Sequence, residues 1–297
     1  MFEGRNGQFI IMMHEAANPL VSVAILTWNR RRYVLKAIDS VLRQPYRPIE
    51  VVVVDSASND GTVKAVRTTY PEVRVIRLNR NLGAVEGRNI ALASCRGDIL
   101  FSLDDDARIL PTTLAFCVER LLTDESLGVI ACRVIESGSD PDLKEGHTFF
   151  FPEGGFAVKR EVIDKVGYFP HDFFRQAEST DMTLRIVEAG YSVLLYNKAV
   201  IYHERALINR DEKLYMFYGC RNEIFTVIRR YPLAIMPLAC LWKIFVWNVT
   251  GAEKHALRFT LKGSIAGMVR LPRLLMQREP VSVQTIKKLM RLKKSFR

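Results

Sequence analysis

Two apolar patterns alternate along the first two-thirds of the chain. Val21 to Thr27 (VSVAILT) and Ile49 to Asp55 (IEVVVVD) are nearly unbroken apolar runs, the pattern of parallel strands covered on both faces. Between them Val34, Leu35, Ile38, Val41 and Leu42 fall at helical spacing over Arg31 to Arg43. A short helix through Val63 and Val66, a strand Val73 to Leu78, a helix Val85 to Ser94 and a strand Asp98 to Leu103 follow. This alternation predicts an α/β fold with a doubly wound, mostly parallel sheet and helices on both faces. Pro111 opens a further helix with Leu114, Cys117 and Leu121 on one side, since proline is tolerated at the first helical position. A strand over Gly128 to Val134 comes next.

From Glu136 to Glu153 the pattern breaks into Gly, Ser, Pro and charged residues, which predicts a long loop and a functional surface. Regular structure resumes at Gly154. Beyond Leu214 the chain turns aromatic-rich and then basic, with no strand signal after about Tyr202. The organisation expected is a loose tail over 1–18, a sheet domain over 19–213 and a helical extension over 214–297, with the boundary near Leu207 to Leu214. The apolar run Phe9 to Met13 is too short for a signal sequence or a membrane span. No internal repeat or low-complexity tract is present.

Composition narrows the class. With 297 residues, 48% of them hydrophobic, the chain can bury a substantial core and is not disordered. Cys95, Cys117, Cys132, Cys220 and Cys240 form no C-x-x-C pair, so reduced thiols in a cytoplasmic setting are expected and a structural zinc site is not. The net charge is +11, and the segment from Gly251 onward carries twelve basic residues against Glu253 and Glu279, a net of +10. Such asymmetry predicts a polyanionic partner, a nucleic acid or an acidic membrane leaflet.

Candidate chemistry starts from what is missing. The turn after the first strand, Trp28-Asn29-Arg30-Arg31-Arg32, has no glycine, and no G-x-x-x-x-G-K-S/T occurs, so neither a dinucleotide fingerprint nor a P-loop holds phosphate here. In an open α/β sheet ligands lie outside the carboxyl ends of the strands. Asp55 and Asp104-Asp105-Asp106 end two predicted strands. Three adjacent aspartates repel one another unless a cation neutralises them, and Mg2+ or Mn2+ binds through one or two carboxylates while holding substrate phosphates. A solvated acidic turn is the alternative for the triplet taken alone. Gly154-Gly155 allows a close backbone approach to a ligand.

The segments VSVAILTWNR, VVVVDSASNDGT, NLGAVEGRN, ILFSLDDDA, GGFAVKREVIDKVGYF and ESTDMTLRIVEAGY, in that order, resemble the family 2 glycosyltransferases over about Pro19 to His203. The resemblance implies a GT-A fold and an inverting transfer of sugar from a nucleotide-diphospho-sugar. It implies that Asp55 contacts the base, that Asp104 meets the ribose and Asp106 the metal, and that Thr27, Asn29, Arg88 and Asp105 belong to the donor side. Arg88 would add positive charge near the diphosphate or orient an aspartate. Gly154 and Gly155 would border the acceptor, and His203 would be a further metal contact. The family's usual base is an aspartate in an E-D-x-D stretch. This chain reads Glu178-Ser179-Thr180-Asp181, and a serine hydroxyl cannot act as base unaided. Glu178 or Asp181 then takes the role, with Glu178 preferred.

In the C-terminal region Arg221-Asn222 is assigned a structural or acceptor-side role. Leu233 to Val249, with Trp242, Phe245 and Trp247, fits a helix lying in the membrane interface. Ile286, Leu289, Met290 and Leu292 alternate with basic residues as in an amphipathic membrane helix, and no nucleic-acid module appears, so a membrane is favoured over a nucleic acid. The expectation is a metal-dependent glycosyltransferase, peripheral on the cytoplasmic face of a membrane, adding sugar to a lipid-linked or polysaccharide acceptor. Two rivals stand beside it. A sugar nucleotidyltransferase would need a Gly-rich loop after the first strand, and a membrane-bound nucleotide-sugar-binding protein without a base is kept open by Ser179.

Overall fold

The structure, a computed structural model, describes residues 18–136, 139, 144–204, 206 and 211–295. The expected tail, except for its last residue, and residues 207–210 of the expected boundary lie outside this set. The elements are β1 (Val21–Thr27), α1 (Arg31–Leu42), β2 (Ile49–Asp55), α2 (Thr62–Thr69), β3 (Arg74–Arg77), α3 (Ala84–Ser94), β4 (Ile99–Asp104), β5 (Ala107–Ile109), α4 (Thr113–Thr123), β6 (Leu127–Glu136), β7 (Gly146–His147), β8 (Gly155–Lys159), α5 (Arg160–Val166), α6 (Glu178–Glu188) and β9 (Ser192–His203). Five helices complete the chain: α7 (Glu212–Arg230), α8 (Met236–Glu253), α9 (Leu257–Val269), α10 (Leu271–Met276) and α11 (Val283–Ser295).

The sheet order is β3-β2-β1-β4-β8-β6-β9-β5, with β7 paired to β9. Strands β1 to β4 pair in parallel, as their double-sided apolar runs require. The second half differs from the expected pattern: β8 runs antiparallel between β4 and β6, and β5 and β7 are antiparallel to β9. The sheet is therefore mixed. Part of the expected loop after Glu136 also holds structure, as β7.

Alternation along each strand divides the core into two layers. Val23 and Ile25 of β1 join Val34, Ile38, Leu114 and Leu121 on the α1/α4 face. Ala24 joins Leu92, Phe156, Met182, Ile224 and Phe225 on the face covered by α3, α6 and α7. Each buried Phe or Leu contributes about 1.5–3 kcal/mol relative to exposure. Helix α7 thus shares the core of the sheet. Helix α11 lays Ile286 against Leu184 of α6, with Leu289 packed on the same cluster. These two tail residues face protein, which corrects the expectation of a membrane-facing stripe along Ile286, Leu289, Met290 and Leu292.

Candidate functional site

Parallel register brings the strand ends together. Thr27 pairs with Asp55, and Leu26 with Asp104, so β1, β2 and β4 open onto one edge of the sheet. A cleft of about 620 Å³ lies there, within the range of small-ligand sites. Thr27, Arg30, Arg88, the three aspartates, Glu153, Gly154, Glu178 and His203 line it.

The three aspartates have separate environments. Asp104 keeps 37% of its side chain exposed and accepts a hydrogen bond of 2.8 Å from Arg88 Nη2. Its backbone N–H donates to the Gly154 carbonyl at 3.1 Å. A Cβ at position 154 would stand 2.1 Å from the Asp104 carboxylate, so any side chain there would displace that carboxylate. Asp105 is buried, receiving Thr27 Oγ1–H at 2.8 Å and Arg30 Nη1–H at 2.9 Å. Burial pushes its carboxyl up to about 6, against the opposing charge of Arg30. Asp106 meets His203 Nε2 at 3.1 Å, Arg30 at 3.2 Å and the Ala206 N–H at 2.9 Å. Burial works against its ionised form, yet the hydrogen bond and charge of His203, with Arg30, outweigh it and hold the carboxyl at about 2.

Asp104, Asp106 and His203 present ligand atoms that all lie within 4.8 Å of one another. Two carboxylates and one imidazole suit a divalent ion. The other ring nitrogen of His203 faces Glu136 Oε1 at 3.3 Å, the outer-shell contact that fixes a ligating imidazole.

Arg88 joins two halves of the cleft. It is buried, donating to Asp104 and, from Nη1, to Glu178 Oε1 at 3.2 Å. Glu178 is buried at the start of α6, and burial pushes its carboxyl up to about 8; the nearby Glu153 charge adds to this and Arg88 opposes it. Its Oε2 is buried without a hydrogen-bond partner among the described residues. Ser179 donates to Glu153 Oε1 at 2.7 Å, so a carboxylate from another segment stands at the position where serine replaces the family's aspartate. The turn before Glu178 is strained: Gln176 and Ala177 have φ of 74° and 65°. Asn222 of α7 holds that turn, its amide donating to the carbonyls of Arg175 at 2.7 Å and Gln176 at 2.8 Å. Arg221 in turn donates to Asn222 Oδ1 at 2.9 Å.

Several residues singled out from the sequence lie elsewhere. Asp181 is fully buried and accepts from Arg185 and Arg230, both at 2.8 Å, outside the cleft lining. It anchors α6 to α7. Asn29 does not line the cleft; its Oδ1 accepts the Asn59 N–H at 2.9 Å and ties two loops together. Asp55 sits behind Ser56, with Oδ2 accepting the Ser58 N–H at 3.0 Å and a buried Oδ1 lacking a partner among the described residues. Gly155 is packed under Ile201. Sequence reasoning missed Arg30, Glu136 and Glu153, whose proximity to the site depends on strand pairing and loop return.

Comparison with known proteins adds to this geometry. Residues 22–181 match the family described as Glycosyl transferase family 2. The chain is 34% identical over 200 residues to an uncharacterized glycosyltransferase of Haemophilus influenzae, covering 62% of this chain and 67% of that protein. It is 31% identical over 115 residues to chondroitin synthase of Escherichia coli, covering 38% of this chain and 17% of that one. The chain spans about half or less of the length of the first curated relatives it matches. Among solved structures, a mannosyltransferase from Pyrobaculum calidifontis in complex with GDP-Man and Mn2+ superposes with a TM-score of 0.58 at 22% identity, over 94% of this chain and 81% of that one.

Proposed function

Given that the chain belongs to glycosyl transferase family 2 and has the GT-A fold, we propose that it transfers a sugar, with inversion, from a nucleotide-diphospho-sugar to a hydroxyl of a lipid-linked or polysaccharide acceptor. The observation that carries this reading is the convergence of Asp104, Asp106 and His203 at the carboxyl ends of the parallel strands, next to the buried Arg88–Glu178 pair. Asp104, Asp106 and His203 would hold Mn2+ or Mg2+, and the bound ion supplies Lewis-acid stabilisation to the departing nucleoside diphosphate. Asp55, expected to contact the nucleotide base, is fully buried outside the cleft, so a base N–H would reach its unpartnered Oδ1 only if the Ser56 turn moved aside. Thr27 and Arg30 fix Asp105, while Asp104, paired with Arg88 and 37% exposed, would face the donor.

Proton removal falls to Glu178 and Glu153. A buried carboxyl raised to about 8 has the basicity to take an acceptor proton near neutral pH once it is ionised. Ser179 orients Glu153 toward the same space. Asp181, held by two arginines, serves the α6 anchor in this scheme. Activity therefore rises with pH toward a plateau above about 8. The test is transfer by Glu178→Gln, Glu153→Gln and Asp181→Asn variants after a thermal-shift screen of nucleotide-sugars with Mn2+. Loss of turnover with retained donor binding in Glu178→Gln or Glu153→Gln supports the base assignment; full activity in both removes it. Metal-dependent donor binding without turnover by the wild type would favour the rival reading, a nucleotide-sugar-binding protein that lacks a base. A place on the cytoplasmic face of a membrane belongs to this same proposal. Among the described residues no helix is long and apolar enough to cross one.

A further inference from the structure

Helix α8 is built inside out. From Pro237 to Val249 its outward positions are Pro237, Leu238, Leu241, Trp242, Phe245, Val246 and Val249, spaced alternately by one and three residues. All are apolar, with Leu238 72% and Trp242 63% exposed. Lys243 and Asn248 point the other way, and Glu253 at the helix end is exposed. Lys243 is paired with Glu223 of α7, and Asn248 bonds Ser264 at 3.1 Å and Thr260 at 3.0 Å on α9. A water-facing helix has the reverse arrangement.

The exposed surface continues past α8. Leu257, Leu261, Ile265, Met268 and Val269 of α9 are exposed, and so are Leu275 and Met276 of α10. Beneath them the helices meet through small residues. A Cβ at Gly263 would stand 2.6 Å from the Phe217 carbonyl, and one at Gly219 2.4 Å from Trp247. Polar bonds between helices, close contact at glycine and apolar side chains outside are how helices pack when lipid surrounds them. Yet α8 has 18 residues and α9 13, and neither is long and apolar enough to cross a membrane. Lys254, Arg258, Lys262, Arg270 and Arg273 are exposed on α9, α10 and the turns beside them, and Glu253 is the one acidic residue between Leu233 and Met276.

We infer that the outer face of α8, α9 and α10 seats in the headgroup and upper acyl region of one leaflet of an anionic bilayer. Apolar side chains enter the acyl boundary, and the five cations meet lipid phosphates. Charge complementarity selects an anionic lipid surface over a second copy of this chain, since two such basic faces repel. The surface adjoins the cleft: α9 packs on Phe217 and Cys220 of α7, and Tyr215 of α7 lines the cleft wall. The inference deepens the proposed function by naming the partner surface, and its test needs neither donor nor acceptor.

The full chain is floated with phosphatidylcholine vesicles with and without phosphatidylglycerol, at low and high salt, and Trp242 fluorescence is followed with bromine-labelled acyl chains. Wild type is expected to float with anionic vesicles, with bromine quenching. Leu241→Glu/Phe245→Glu is expected to lose at least about tenfold in partitioning, and Arg258→Glu/Lys262→Glu to lose binding chiefly at low salt. Lys287→Glu/Lys288→Glu on α11 leaves quenching unchanged. A cooperative thermal unfolding transition near the wild-type temperature, measured without vesicles or donor, verifies that each variant is folded and keeps this test independent of the donor reading. Equal flotation of Leu241→Glu/Phe245→Glu and wild type, or no flotation of wild type, overturns the inference. So does a dimer in sedimentation that the same double variant abolishes.

Discussion

Arg88 touches both sides of the cleft, at 2.8 Å to Asp104 and 3.2 Å to Glu178. Around it the tolerances are small. Gly154→Ala puts a methyl group into the Asp104 carboxylate, so donor affinity in calorimetry is expected to fall by about tenfold or more, because a displaced first-contact group costs well over 1 kcal/mol. The melting temperature should change little. Glu178 makes a pH prediction. Its carboxyl is raised from an ordinary 4.5 to about 8 by burial, so the folded chain holds a proton that the unfolded chain has released. Stability is then lost as pH rises from about 4.5 to about 8 and levels beyond. Glu178→Gln should flatten that slope, read as the unfolding midpoint in urea across pH; an equally steep slope in the variant would place the proton elsewhere. Asp104, Asp106 and Gly154 could be picked out from the sequence because each adjoins an apolar strand. Arg30, Glu136 and Glu153 could not, since only the β1–β4 pairing brings Arg30 to Asp105 and only the fold of β6, β8 and β9 brings the glutamates inward.

At the scale of elements, the continuous Val and Ile runs made β1 to β4 readable, because burial on both faces leaves a strong local pattern. The reversed direction of β8 and the two residues of β7 left none, since antiparallel insertion is decided by partners far away in the chain. On helix α11, Ile286 and Leu289 turn out to face protein for a related reason. Periodicity locates an apolar stripe without saying whether protein or lipid covers it. The α7–α9 contact gives a sharp test. A Cβ at Gly267 already stands 3.0 Å from Ile224, so Gly267→Val should destabilise by about 1–3 kcal/mol through overpacking. Gly146→Ala, where a Cβ meets nothing within 4 Å, should be near neutral. Urea unfolding of the pair measures the contrast.

Taken whole, the molecule does not divide cleanly at the end of the sheet. Helix α7 contributes Ile224, Phe225 and Ile228 to the core layer that also holds Leu92 and Phe156, and its Asn222 holds the turn that presents Glu178. A chain ending at Thr250 loses α9 and exposes Cys220 and Ile224, so it is expected to lose cooperative thermal unfolding; a sharp transition near the wild-type temperature would show α9 to be dispensable. The outward stripe of α8 has a last consequence. An enzyme held to a surface by that stripe meets membrane-bound acceptors by diffusion in a plane, so its effective acceptor concentration is a surface density and not a bulk molarity. Dilution of acceptor lipid with inert lipid should slow transfer, whereas dilution of the whole vesicle suspension should leave each bound enzyme's rate unchanged.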